Sequence, residues 1–134
     1  MTKNQTIKTI KAFQEIGFTQ SDKTADLDTV QRLMLEVEAG ISRVSAYQLY
    51  RAVKATYHVC GDLAEVGVWK GGSARIIAEA KDHGKPLHLF DTFTGIPEVG
   101  PEDKGRYQVG EYAYPMSEVI ANLARYPNVN CYKG

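Results

Sequence analysis

Asp62-Leu63-Ala64-Glu65-Val66-Gly67-Val68-Trp69-Lys70-Gly71-Gly72-Ser73 is an apolar run interrupted by one acid and three glycines, and it opens directly into a helical pattern. A short buried strand that ends in glycines and passes at once into a helix has the outline of a ligand loop. Glycine admits positive φ and close backbone approach, and a helix N-terminus presents N–H groups and a positive dipole end. Downstream, Leu87-His88-Leu89-Phe90 reads as a second strand with Asp91 at its tip. In an open α/β sheet an acid at that place lies beside a ribose. The two segments together predict a parallel, Rossmann-like sheet whose carboxyl edge carries a nucleoside.

The glycines follow E-x-G-x-x-x-G-G-S, not the dinucleotide spacing G-x-G-x-x-G. A carboxylate at Glu65 would repel a pyrophosphate, so a nicotinamide cofactor fits poorly and an adenosine carrying an amino acid fits better. In S-adenosylmethionine the ammonium group can pair with oxygens near Glu65 and Gly67, and the carboxylate can accept from Ser73 and from N–H groups at the helix start. Val66, Trp69, Gly71, Asp91 and Thr92 complete the expected cofactor-binding set. Each has a plainer reading. Glu65 either pairs at the strand end or meets the ligand, and an acid inside a buried strand is costly without a partner. Trp69 either packs on the helix or covers the ligand. Ser73 is either a helix cap or a carboxylate contact, two roles that one oxygen can share.

Three blocks in order carry a family likeness: Gly61 to Ser73, Leu87 to Pro97 (L-H-L-F-D-T-F-T-G-I-P) and Tyr112 to Gly134. The chain resembles the macrocin O-methyltransferase family, class I enzymes that methylate sugar hydroxyls in macrolide biosynthesis. More loosely the loop resembles that of catechol-type O-methyltransferases, where an aromatic in the Trp69 position and a serine in the Ser73 position line the cofactor site. The resemblance implies S-adenosylmethionine as cofactor, a small-molecule acceptor, and Mg²⁺ with a general base held by acids on later strands. No acidic pair among residues 1–134 matches those acids, so neither a metal ligand nor a catalytic residue is carried over. The expectation is the cofactor-binding half of an O-methyltransferase, inactive alone and completed by a longer chain, a second polypeptide or domain exchange. The alternative is a non-catalytic fragment that keeps an adenosine pocket or serves in assembly.

Lys plus Arg and Asp plus Glu both number 16, which leaves no net charge to steer the chain toward nucleic acid or an anionic membrane. Apolar runs fall short of a bilayer span, and Met1-Thr2-Lys3-Asn4-Gln5 lacks a signal-peptide core, so a cytoplasmic location is expected. In that reducing compartment Cys60 and Cys131 are expected to be small buried hydrophobes rather than a disulfide. His58, His83 and His88 lack metal-ligand spacing, and His88 reads as a satisfied core residue.

Two regions are expected, an N-terminal helical region over 1–60 and an incomplete cofactor-binding domain over 61–134. Residues 1–22 are expected to be a short amphipathic helix without a strong cap, or a mobile arm. Leu27, Val30, Met34, Val37 and Ile41 mark one helix with Gly40 as its stop; Ser45 caps the next, whose stripe is Ala46, Leu49, Tyr50, Val53 and Tyr57. Strand 63–67, helix 73–82, strand 87–90, helix 117–125 and strand 128–132 follow. The long connection from Pro97 to Pro115 is either a surface insertion or a lid, with Tyr107, Tyr112 and Tyr114 as aromatics able to close over a ligand. Lys70 and Lys104 read as solvated. In a class I sheet the first strand is central. With no fourth strand in this sequence its free edge is expected to self-associate or to be covered by the N-terminal helices.

Overall fold

Two helices precede the sheet in the computed structural model, which describes residues 20–103 and 105–134. The arm expected over residues 1–22 lies outside the described residues up to position 19, as does Lys104. Helix α1 spans Gln20–Glu36 and α2 spans Arg43–Ala55. Val30 and Leu33 are the α1 side chains sunk in the core, each 1% exposed. One turn earlier the same face buries Asp26, which is satisfied by the Arg51 guanidinium and by Lys54 Nζ at 3.1 Å, both on α2. The apolar period pointed to Leu27 and Met34 instead, which pack at the margin of the core.

Helix α2 begins one turn before its expected cap. Ser42, extended at φ −68° and ψ 158°, accepts the Ser45 N–H on its hydroxyl, so Ser45 is the third helical residue and not the cap. Ala46, Tyr47, Tyr50 and Val53 are its buried face, while Tyr57 falls past the helix end and is exposed. The carbonyls left over there are not wasted on solvent. Lys85 Nζ donates to the oxygens of Thr56, Tyr57 and Val59, tying the end of α2 to the entrance of the second strand.

Strand β1 (Leu63–Val66), helix α3 (Gly72–Ala80), β2 (Leu87–Asp91), α4 (Met116–Leu123) and β3 (Val129–Lys133) give the expected alternation. The sheet is parallel in the order β1-β2-β3, with Leu63 opposite Leu87 and Leu87 opposite Val129. Side chains alternate across it. Leu87 and Leu89 are fully buried among Ala74, Ile76, Ala78, Val119 and Leu123, so one face is sealed by α3 and α4. The opposite face is open: Val66 is 83% exposed, and Phe90 stacks on Tyr132 at 5.0 Å with both rings part-exposed. His88 lies on that open face rather than in the core, half-buried and satisfied by Asp62 and the Tyr132 hydroxyl, each at 3.0 Å.

Leu63 N–H donates to Pro86 O and Gly67 N–H to Phe90 O, so alternate peptides of β1 turn toward β2. The N–H and C=O groups of Ala64 and Val66 therefore point away from the sheet, where β1 pairs with no strand among the described residues. The cysteine expectation needs correction at one position. Cys60 is exposed, because it sits in the turn between α2 and β1 where no helix packs, whereas Cys131 is part-buried against the core; both thiols are free.

The helical pair is joined to the sheet region at one point of extreme closeness. A Cβ on Gly72 would lie 2.3 Å from the Glu38 carbonyl oxygen and 2.4 Å from Ala39 Cα. Gly72 opens α3 with ordinary helical backbone, where alanine would favour the helix by about 1 kcal/mol. Gly72→Ala is expected to reverse that sign, with a net loss of about 1–3 kcal/mol in urea unfolding as the α1–α2 connection is pushed off α3. A gain in stability would show that the connection yields freely.

Candidate functional site

The carboxylate of Asp91 organises the carboxyl edge of the sheet. Its Oδ2 accepts the N–H of Val68 at 2.6 Å and of Trp69 at 3.0 Å, and its Oδ1 accepts the N–H of Phe93 at 2.7 Å. The strand-tip acid thus holds the loop after β1 and the turn after β2 in one ring of hydrogen bonds. Burial pushes this carboxyl up, but the N–H groups of Phe93, Trp69 and Val68 outweigh that effect and hold it below the usual aspartate range. The loop N–H groups expected to be free for a ligand are consequently occupied by the protein itself at Val68 and Trp69.

Trp69 and Phe93 both stand at positive φ, 49° and 56°. Bulky residues rarely adopt that region, at a cost of about 1–3 kcal/mol each. Charge-assisted bonds from Asp91 to both of their N–H groups are of comparable size, about 1.5–3 kcal/mol each. The strained turn persists because the acid is there.

Around Asp91 opens a cleft of about 940 Å³, within the range of ligand pockets. Its walls are the α1–α2 connection at Glu38, Ala39 and Gly40, the end of β1 at Val66, Gly67 and Trp69, the end of β2 at Phe90, Asp91 and Thr92, and the following segment at Gly95, Ile96, Pro97 and Tyr112. Five of the eight residues singled out in the sequence, Val66, Gly67, Trp69, Asp91 and Thr92, line it together. Glu65, Gly71 and Ser73 do not. Gly71 is the N-cap of α3 at φ 82°, with no side-chain cap, and Ser73 lies inside the first turn instead of capping it. The start of α3 is buried beneath Glu38 and Ala39, so it faces protein backbone.

Ser73 turns its hydroxyl to Glu65. Burial pushes the Glu65 carboxyl up to about 7, the Ser73 hydrogen bond pulls the other way, and the nearby Asp91 charge adds to the rise. Its Oε2 is buried with no hydrogen-bond partner.

The segment after β2 is pinned at its neck. Ile96 N–H donates to Glu111 O and Gly110 N–H to Ile96 O, both at 2.9 Å, closing the neck of a loop that contains the short 3₁₀ turn Pro101–Asp103. Of its three expected aromatics, Tyr112 reaches the cleft, Tyr114 packs on the core and Tyr107 does neither. Lys70, read as solvated, instead pairs with Glu38 at 2.7 Å and lies over the Trp69 ring at 4.4 Å. The contribution of Glu38–Gly40 was missed. Its only sequence signal is Gly40, read there as a helix stop; it is in fact a φ +65° residue against which the Trp69 ring rests, a Cβ there lying 3.3 Å from Trp69 Cζ3.

Among the described residues, no group of three or more His, Cys, Asp or Glu side chains is placed to hold a metal ion. The described residues therefore present no ligand set for the Mg²⁺ that the resemblance implies. The same residues describe no helix long and apolar enough to cross a membrane.

Comparison with known proteins agrees with this architecture. The chain is 33% identical over 98 residues to the 8-demethyl-8-(2,3-dimethoxy-alpha-L-rhamnosyl)-tetracenomycin-C 4'-O-methyltransferase of Streptomyces olivaceus, a match covering 65% of this chain and 38% of that protein. It spans well under half the length of this relative. Among solved structures it is similar to CalS11, a calicheamicin methyltransferase, with a TM-score of 0.50 and 18% identity over 88% of this chain and 60% of that one, a likeness of fold. Residues 4–130 match the family described as Macrocin-O-methyltransferase (TylF). With nearly its whole length matched, the chain belongs to the macrocin-O-methyltransferase family.

Proposed function

We propose that this chain is the S-adenosylmethionine-binding part of an O-methyltransferase that acts on a hydroxyl of a sugar or another small natural product. The observation that carries the reading is the cleft at the carboxyl edge of the sheet, walled by Asp91 and Thr92 on one side and by Gly67 and Trp69 on the other. Family membership supports the cofactor, and the relative from Streptomyces olivaceus, named as a sugar O-methyltransferase, supports the acceptor class.

The residues present fit the cofactor at the cleft, where the strand-tip carboxylate of Asp91 is an acceptor for a ribose hydroxyl and Gly67 and Trp69 stand opposite. When bound, S-adenosylmethionine supplies an electrophilic methyl group on its sulfonium sulfur. The chain's own residues bind and orient it, and in a transfer between fixed partners orientation is a large share of the acceleration. Trp69 and Tyr112 meet edge to face and both line the cleft.

As to partners, we propose that the outward peptides of β1 and the open sheet face pair two copies of this chain. Ala64→Pro removes an outward N–H that makes no bond within the sheet. Sedimentation velocity is expected to show dimers for the wild-type chain and monomers for the variant. Monomeric wild type at high concentration would end this proposal.

Calorimetry with S-adenosylhomocysteine tests the cofactor reading. Asp91→Ala is expected to weaken binding at least tenfold and to lower the stability of the ligand-free chain by about 2–4 kcal/mol, since charge-assisted bonds to the loop are lost along with the ribose contact. Equal affinity in the two proteins would remove Asp91 from the site. Glu65 gives an independent check by pH. Its folded pKa of about 7 stands above the ordinary 4.5, so its contribution to stability is fully present below 4.5 and is lost as pH rises through about 7. Unfolding measured at pH 5 and pH 8 should show this loss, on the order of 2–3 kcal/mol, and Glu65→Gln should abolish it. A slope that persists in the variant would belong to another group.

A further inference from the structure

We infer that Tyr112 is a ligand-retaining residue of the cleft, forming with Trp69 an aromatic wall that must part before a bound nucleoside can leave. The inference rests on the cofactor reading above and goes beyond it by giving a residue outside the expected binding set control over residence time. The two rings meet edge to face, with centroids 5.8 Å apart and planes at 87°. They come from separate segments, Trp69 from the loop after β1 and Tyr112 from the far side of the closed neck after β2, and both line the cleft.

Neither ring is loosely held. Tyr112 stands at φ 63° and Trp69 at φ 49°, conformations that side chains of this size take up only under constraint. For Tyr112 the constraint is the neck. Gly110 N–H and Glu111 O are both bonded to Ile96, and Gly95 at φ +83° lies so close beneath that a Cβ would sit 2.5 Å from the Gly110 and Glu111 carbonyl oxygens. For Trp69 it is Asp91 on the backbone, Gly40 against the ring edge, and Lys70 over the ring, itself fixed by Glu38. The wall therefore joins the α1–α2 connection, the β1 loop and the neck. Yet Tyr112 is 50% exposed, so much of its ring surface is left for a ligand to cover.

Trp69 is the chain's one tryptophan, which makes its fluorescence a reporter of this wall. Stopped-flow dissociation of S-adenosylhomocysteine, alongside calorimetry, tests the inference. Tyr112→Ala and Tyr112→Leu are each expected to raise the dissociation rate about three- to tenfold, the range of an aromatic pair, with the association rate little changed. Tyr112→Phe keeps the ring and should restore wild-type dissociation. Tyr107→Ala, on the same loop but off the cleft, should leave it unaltered. Dissociation within twofold of wild type in both Tyr112→Ala and Tyr112→Leu would overturn the inference while leaving the cofactor reading intact, as would an equal acceleration in Tyr107→Ala. A wild-type chain that binds no S-adenosylhomocysteine by calorimetry would overturn the cofactor reading and this inference with it.

Discussion

One carboxylate, that of Asp91, closes the carboxyl edge of the sheet on itself. Parallel strands end in loops whose N–H groups lack ladder partners, and here three of them, from Val68, Trp69 and Phe93, converge on a single acid. That convergence fixes the loop after β1 relative to the turn after β2. It also sustains two aromatic residues in left-handed backbone, which places Trp69 over the cleft and turns Phe93 into the core. Without the acid the loop would keep its strain and lose the bonds that offset it.

The helical pair is fastened to this edge by contact rather than by sheet pairing. Backbone at Glu38 and Ala39 rests directly on Gly72, and Glu36 at the end of α1 bonds Arg75 of α3, with Arg125 at 3.0 Å beyond α4. Because Arg75 is buried and Glu36 is not, the guanidinium is what this pairing serves: a buried cation without its acid would be costly. The α1–α2 connection becomes a wall of the cleft as a consequence of where α3 begins.

Strand and helix order was legible because short apolar runs bounded by glycines, acids and turn residues mark β1, β2 and β3 and alternate with helical stretches at α3 and α4; their bounds differ from expectation by one or two residues. The strand-tip position of Asp91 was legible for the same reason. Its engagement with backbone was not, since the sequence shows an acid and a glycine loop but not which N–H groups face the acid. Asp26 and Leu33 were missed because a buried ion pair breaks the apolar stripe on which the reading of α1 relied. The cap of α2 was misplaced by three residues because Ser42 and Ser45 both have capping chemistry, and only backbone conformation separates them. Contacts between segments distant in sequence, such as Glu38 with Lys70 and Trp69 with Tyr112, leave no periodic trace at all.

The two site acids are driven apart by their surroundings. Asp91, fed by backbone N–H groups, stays ionised well below neutral pH and acts as a fixed structural anion. Glu65, buried with one hydroxyl partner and near the Asp91 charge, is pushed up to about 7. Two carboxylates with opposed environments can hold different charges in one site. Burial can therefore keep Glu65 neutral, which avoids a second buried anion near Asp91.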